Sequence, residues 1–451
     1  MSVKNIFVLG NDSFNDRHNL RPISAGYGYN FHNLFWFDEV RVENRNVEET
    51  LTEARRRLEC FDDSIDGLLT FYDFPASLIA PILCEEFSLP SPSLEAVVKC
   101  EHKLWSRTLQ REAAPEVVPT FAPLQLDEQP ERAWQRLTDE GLTPPVWIKP
   151  VKGVLGQLAF QIDSIETLTD AIEQAEEKID YFSEPLAALM KHMPVELPEP
   201  YRGKDSKRLF IAENDISVPH ACTAEGYRFE GMTQIHGVVD SFRYPDCPAF
   251  HRLQYPSKLP EDVQQRMVDA SIRVIERIGF DGGAFNIEFF WDPDTEESSL
   301  LEFNPRISQS HSPQFQMVDG DANMKIIADL AVGNEPRLVR GQGEFEVAAK
   351  FMLRCFANDA LVTRTPGDAE IEAVMQRFPG AKVKLDVHLG QQLSEQRHID
   401  SYSWQLATIY MGAKNEEALL SQFNQAVEML DFRLRGGEIE LPDRHDVMLE
   451  Y

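Results

Sequence analysis

The stretch from Gly282 to Arg306 constrains this chain more than any other. It reads as two strands, Ala284 to Trp291 and Ser298 to Asn304, around the turn-forming run Asp292-Pro-Asp-Thr-Glu-Glu297. Side chains alternate between the faces of a strand, so Asn286 and Glu288 share one face of the first and Glu302 and Asn304 one face of the second. The other face carries Phe285, Ile287, Phe289, Trp291, Leu301 and Phe303. A turn centred on Thr295 sets Glu288 across from Glu302 and Asn286 across from Asn304. Two carboxylates held side by side repel, so the pattern calls for a cation between them. Oxygen-only donors point to a hard ion, Mg²⁺ first, which binds through one or two carboxylates and substrate phosphates. Arg306 follows two residues after Asn304 and supplies a fixed planar cation on the same side. An amphipathic sheet with ordinary solvent-facing glutamates has the same alternation.

The rest of the composition narrows the partners. A net charge of -30, from 74 Asp+Glu against 44 Lys+Arg, argues against nucleic-acid and membrane-surface partners, and no basic patch offsets it. The acidic helical face of 163–184 and the tail 436–451 read as a solvated coat. The apolar run near the start is too short for a signal-peptide core and no run reaches the length of a membrane span, so a cytoplasmic location is expected. The six cysteines form no C-x-x-C pair and have no His at ligand spacing, which leaves neither a zinc nor a dithiol motif. Against this acidic background one loop stands out. Val146-Trp-Ile-Lys149 and Leu158 to Ile162 read as strands joined by a loop holding Lys152, Gly153 and Gly156, and its ammonium groups can hold phosphates as point charges. It lacks the G-K-[ST] and the following helix of a P-loop, and alone it reads as a hairpin with exposed lysines.

Asn5 to Gly10 and Ile65 to Phe71 read as buried strands of an open α/β unit, with helices between and after them. Pro115 to Pro145 reads as a connector with a helical patch at Ala133 to Leu137. A helix with one apolar stripe is expected from Ile165 to Phe182, opened by a capping box of Asp163 and Glu166. Pro185 to Lys207 reads as irregular and Leu209 to Glu213 as a strand. Glu261 to Ile278 reads as a helix stopped by Gly279. The C-terminal third mixes short strands with a final helix near Glu416 to Leu430. His251-Arg252 and His311 are candidates for substrate contacts or for structural roles.

Together these residues resemble the ATP-grasp superfamily of ATP-dependent carboxylate ligases. The resemblance rests on Asn286-Ile-Glu288 and Leu301-Glu-Phe-Asn-Pro-Arg306, on Lys149 closing a strand before the Gly153 to Gly156 flap, and on Cys100-Glu-His-Lys103-Leu-Trp-Ser-Arg107. It implies an α/β (α+β) fold. A pre-ATP-grasp open α/β domain would span 1–95, an ATP-grasp domain of two α+β subdomains 96–335, and a C-terminal mixed α/β lid domain 336–451. It implies ATP and Mg²⁺, with Mn²⁺ as an alternative ion. Glu288, Glu302 and Asn304 would hold the metal, Arg306 would be catalytic, and Lys103, Lys149, Gly153, Gly156 and Glu213 would bind ATP. The implied activity joins a small acid to an amine through an acyl phosphate, releasing ADP and phosphate, with a leaning to the amino-acid and dipeptide ligase branch. The alternatives are a carboxylase of the biotin-carboxylase kind, which the Gly390 to Trp404 segment resembles, and a non-catalytic ATP-sensing module. The expected partners are small molecules, with a homodimer in keeping with the family.

Overall fold

The computed structural model describes residues 3–41, 46–154, 156–202, 205–218, 220–245, 247, 249–357, 359–396 and 403–439. Leu155 of the lysine loop, 397–402 of the Gly390 to Trp404 segment, and 440–451 of the acidic tail lie outside the described residues. The first unit is a parallel sheet of β1 (Lys4–Asn11), β2 (Tyr29–Trp36) and β3 (Gly67–Leu69) in the order β2-β1-β3. Parallel strands are covered on both faces, which explains the unbroken apolar run of β1. Phe7 and Leu9 join one core with the helices Val47–Glu59 and Ala76–Glu86, while Ile6 and Val8 join another with the helix Met324–Ala331. A Cβ at Gly67 would lie 2.6 Å from the Ala331 carbonyl oxygen, so only glycine lets β3 approach that helix. The N-terminal unit is thereby fastened to the segment that follows the hairpin.

A second, antiparallel sheet comprises β4 (Phe121–Gln125), β5 (Val146–Pro150), β6 (Phe160–Ile162) and β7 (Leu209–Asn214), in the order β4-β7-β5-β6. It packs with the helices Pro130–Asp139 and Ile165–Glu176 around Leu124, Leu137, Ile148, Leu168 and Phe210. The sequence reading of 115–145 as a connector misses β4. Its Pro123 cannot donate to a ladder, and β4 tolerates it as an edge strand that pairs with β7 alone. The capping box expected from Asp163 and Glu166 is formed instead by Ser164 and Thr167. The single stripe expected to Phe182 is divided between Ile165–Glu176 and Asp180–Met190, and Pro185 sits inside the second helix.

The third sheet carries the rest. Its strands are β8 (His220–Phe229), β9 (Met232–Arg243), β10 (Phe250–Tyr255), β11 (Gly283–Trp291), β12 (Ser298–Asn304), β13 (Val347–Cys355), β15 (Lys382–Leu385) and β16 (Trp404–Ala413). Their order is β12-β11-β8-β9-β10-β13-β16-β15, antiparallel throughout, with β14 (Leu361–Arg364) and β17 (Arg433–Arg435) paired separately. One backbone ladder thus runs from the glutamate hairpin into the C-terminal third through β10 and β13. The helices Glu261–Ile278 and Glu416–Met429 cover one face, the first with Met267 against Cys222 and the second with Phe423 stacked on Phe351 at 4.0 Å. The other face carries Glu288 and is itself partly covered, by Phe315 of the helix Ser312–Asp319 against Val239 and Tyr255 and by the helix Met324–Ala331 against Tyr227 and Ala284.

His251 and Arg252 lie on the helix-covered face. Arg252 is fully buried, sits 3.8 Å over the Phe242 ring and pairs with Glu416, which also takes Lys258. Burial pulls the Arg252 guanidinium down to about 10 even with Glu416 beside it. Burial likewise holds the His251 imidazole near 3 and neutral, against Tyr244, Phe351 and Phe423. Both side chains are buried in the core on this face. Removing one partner of a buried pair strands the other charge. Glu416→Ala should therefore lower the unfolding free energy by about 3–5 kcal/mol in urea titrations; a loss indistinguishable from zero would mean that Arg252 is solvated.

Candidate active site

β11 and β12 pair with Asn286 opposite Asn304 and Glu288 opposite Glu302. The two amides lock this arrangement. Asn304 Nδ2 donates to Asn286 Oδ1 at 3.0 Å and to Glu288 Oε1 at 3.1 Å, and Asn286 Nδ2 donates to the Arg306 carbonyl at 3.0 Å. Both amide nitrogens are thus spent on neighbours, which leaves Asn304 Oδ1 and the glutamate oxygens as acceptors. Burial and the adjacent Glu302 push the Glu288 carboxyl up to about 7. Burial opposes ionisation of Glu302 too, but Lys103, whose Nζ pairs with it, holds it below the usual range. Among the described residues, no three His, Cys, Asp or Glu side chains gather as a metal site. The donor set available here is two carboxylates and an amide oxygen. It contains neither sulfur nor imidazole, and Glu288 is short of counter-charge, so it fits a hard divalent cation.

Four cations converge on this hairpin. Lys103 opens the helix Lys103–Ala113, which is capped by the His102 side chain. Lys149 lies on β5 and pairs with Glu213 of β7. Glu213 in turn accepts from Arg107 Nε at 2.5 Å, and Arg107 donates onward to the Leu300 and Leu301 carbonyls of β12 at 2.8 and 3.0 Å. Against burial, Arg107 and Lys149 draw the Glu213 carboxyl down to about 2, while burial depresses the Lys149 ammonium. Glu213 therefore sits beneath Lys149 with both oxygens engaged. Gly153 and Gly156 lie in the loop between β5 and β6, and Gly156 turns it at φ +71°.

Lys152 is buried and reaches Glu101 at 2.9 Å and Asp73 at 3.0 Å. Asp73 also accepts from Arg306 Nη2 at 3.0 Å. Burial alone would raise the Asp73 carboxyl, but Lys152 and Arg306 together hold it far below the usual range. Sequence reasoning missed Asp73. Its signal is an acid just beyond the carboxyl end of the parallel strand β3, where open α/β sheets place ligand contacts. Glu225 was missed as well. It is fully buried on β8 opposite Asn286, accepts from the Ser308 backbone at 3.0 Å and binds His311 Nδ1 at 2.8 Å. His311 is thus an anchor for the segment after Arg306.

The low Glu213 carboxyl has a pH signature. Its unfolded value is near 4.5 and its folded value about 2, so its stabilising contribution is complete above pH 4.5 and drains away as pH falls towards 2. Glu213→Gln should be markedly less stable than the parent protein at pH 7 in urea titrations, and the gap should narrow between pH 4.5 and 3. A gap independent of pH would show that Glu213 is not ionised in the fold.

With this geometry in place, the chain can be set beside known proteins. Residues 254–337 match the family described as "Carbamoyl-phosphate synthase L chain, ATP binding domain". The carbamoyl phosphate synthase large chain of Thermotoga petrophila is 32% identical over 141 residues, which are 30% of this chain and 12% of that one, so the match spans about an eighth of that relative's length. The structure of an L-amino acid ligase from Bacillus licheniformis superposes with a TM-score of 0.67 at 15% identity, covering 96% of this chain and 99% of the other. A biotin carboxylase from Campylobacter jejuni superposes with a TM-score of 0.65 at 14% identity, covering 97% and 93%. The same fold, over nearly the whole chain, holds the carboxylate-amide hairpin and its lysines. Residues 254–337 thus match an ATP-binding domain family, and the chain as a whole shares the fold of these two enzymes.

Proposed function

We propose that this protein is an ATP-dependent ligase that joins a small carboxylic acid, an amino acid or a related compound, to an amine. The observation that carries the reading is the register of β11 and β12, which places Glu288 against Glu302 on the face where Lys103, Lys149, Lys152 and Arg306 converge. In this reading residues 1–95 form the leading α/β unit, 96–335 hold nucleotide and metal, and 336–451 complete the substrate side.

Glu288, Glu302 and Asn304 Oδ1 would hold Mg²⁺ (or Mn²⁺), which supplies charge neutralisation for the ATP phosphates when bound. Lys103 and Lys149 exchange their carboxylate partners for phosphate oxygens, and the flap with Gly153 and Gly156 covers them. Arg306 orients the γ-phosphoryl group as an oxygen of the acid attacks it, forming an acyl phosphate and releasing ADP. The amine nitrogen then attacks the acyl carbon, phosphate leaves with the former acid oxygen, and the nitrogen gives up a proton. No protein nucleophile is needed. Support comes from the match over nearly the full length of both chains to an L-amino acid ligase. The biotin carboxylase superposes almost as well, so bicarbonate with free biotin belongs among the substrates tried.

The test is a phosphate-release screen over an acid-by-amine matrix, with product masses read directly. Glu302→Ala and Arg306→Ala should each lower ADP formation by about 10²-fold or more, with circular dichroism unchanged. Full turnover in either variant sinks the assignment, and bicarbonate-dependent turnover stimulated by biotin would replace the ligase with a carboxylase.

A further inference from the structure

On the face of the large sheet that carries Glu288, a second group of cations lies away from the hairpin. The strand pairings set Leu253 opposite Lys350, Lys350 opposite Tyr410 and Tyr410 opposite Lys382, so these residues form one row across β10, β13, β16 and β15. Residues opposite each other share a face, and Tyr410 and Ala348 of this face pack on Met317 of the helix Ser312–Asp319. Lys382 Nζ donates to Gln316 of that helix at 3.1 Å. The N-terminal segment closes the far side: Phe14 stacks on Tyr410 at 5.5 Å and meets the tilted His18 ring at 4.7 Å.

Lys350 is only partly buried, yet its ammonium makes no hydrogen bond or ion pair with any described residue, and neither does the Tyr410 hydroxyl. The nearby acids are already engaged. Asp386 accepts from Gln405 and Thr408 at 2.8 and 2.9 Å and pairs with Lys384 at 3.4 Å. Asp12 caps the Phe14 and Asn15 amides and accepts from Tyr72 at 2.7 Å. Burial lowers both lysines to about 8, and burial together with Lys382 and Arg17 keeps His18 neutral at about 4. In a chain of net charge -30, Lys350 and Lys382 thus form a cationic cluster in which neither ammonium pairs with a carboxylate among the described residues.

Four strand spacings separate Lys350 from Glu288, on the order of 19 Å across the sheet. The pocket is nevertheless joined to the reacting end. Tyr72 bonds Asp12 beside Phe14, and the next residue, Asp73, holds Arg306. We propose that Lys350, Lys382 and Tyr410 form an oxyanion subsite that binds a carboxylate or phosphate group on the acid or amine substrate, remote from the group that reacts. This deepens the ligase reading and rests on it for the identity of the ligand as a substrate.

Binding can be measured without turnover, by calorimetry in the absence of ATP. The probes are glutarate for a carboxylate and glycerol 3-phosphate for a phosphate, with glutaramide and glycerol as neutral controls. The wild-type protein should bind one of the anions at least about tenfold more tightly than its control. Lys350→Met and Lys382→Met should each weaken it about tenfold or more, while Lys350→Arg and Lys382→Arg, which keep the charge, retain it. Arg306→Ala should leave anion binding in place. No preference for either anion, or Met variants that bind as the wild type does, overturns the subsite. Binding lost in Arg306→Ala but kept in Lys350→Met moves the anion to the hairpin and overturns it too. Should the Met variants fail to fold, the wild-type preference and Arg306→Ala still decide. A protein that binds the anion but turns over no acid and amine keeps the subsite and loses the ligase reading.

Discussion

Everything around the hairpin answers one electrostatic problem, the repulsion between Glu288 and Glu302 held in register on adjacent strands. The backbone ladder fixes the two carboxylates, and the Asn286 and Asn304 amides remove the freedom to turn away. Lys103 relieves one of them directly, while Glu288 keeps its proton at unusually high pH. The surrounding charges repeat this pattern of shared partners. Glu213 serves Arg107 and Lys149, and Asp73 serves Lys152 and Arg306. Each of these cations is held by a carboxylate in the structure.

The hairpin was legible in the sequence because its information is local. Period-two alternation and a short turn bring Glu288 to Glu302 and Asn286 to Asn304, while a bulge after Glu288 sets Phe289 opposite Leu300 and takes Leu301, expected on the apolar face, out of that row. The helix Glu261–Ile278 was legible for the same reason, through its apolar stripe and the αL glycine that ends it. Asp73 and Glu225 were not, since their partners are 233 and 86 positions away and nothing near them in sequence announces the contact. Glu213 stood out in the sequence, but Arg107, which fixes its position from 106 residues away, was not assigned that role. β4 was hidden by a proline that an edge strand accommodates, and the stripe from 165 to 182 concealed a break because apolar spacing continued across it.

The acidity of the chain also takes on a spatial meaning. The helix 165–176 contributes acids and no base to the surplus, whereas Lys350 and Lys382 of the large sheet and Lys152 of the β5–β6 loop sit in buried or recessed positions. An overall charge that repels polymeric phosphate is therefore compatible with a pocket that attracts a small one.

The unbroken ladder from β12 to β15 has a mechanical consequence. A hinge inside it would have to part the backbone hydrogen bonds between β10 and β13, so the hairpin and the C-terminal third move as one plate. Among the described residues the small four-stranded sheet shares no ladder with that plate; it meets it through the apolar core that joins Phe121, Leu209 and Ile211 to Phe285, Ile287 and Phe303, and through Glu213, which Arg107 ties to the Leu300 and Leu301 carbonyls. Side-chain packing and one charged relay thus hold the small sheet to the plate.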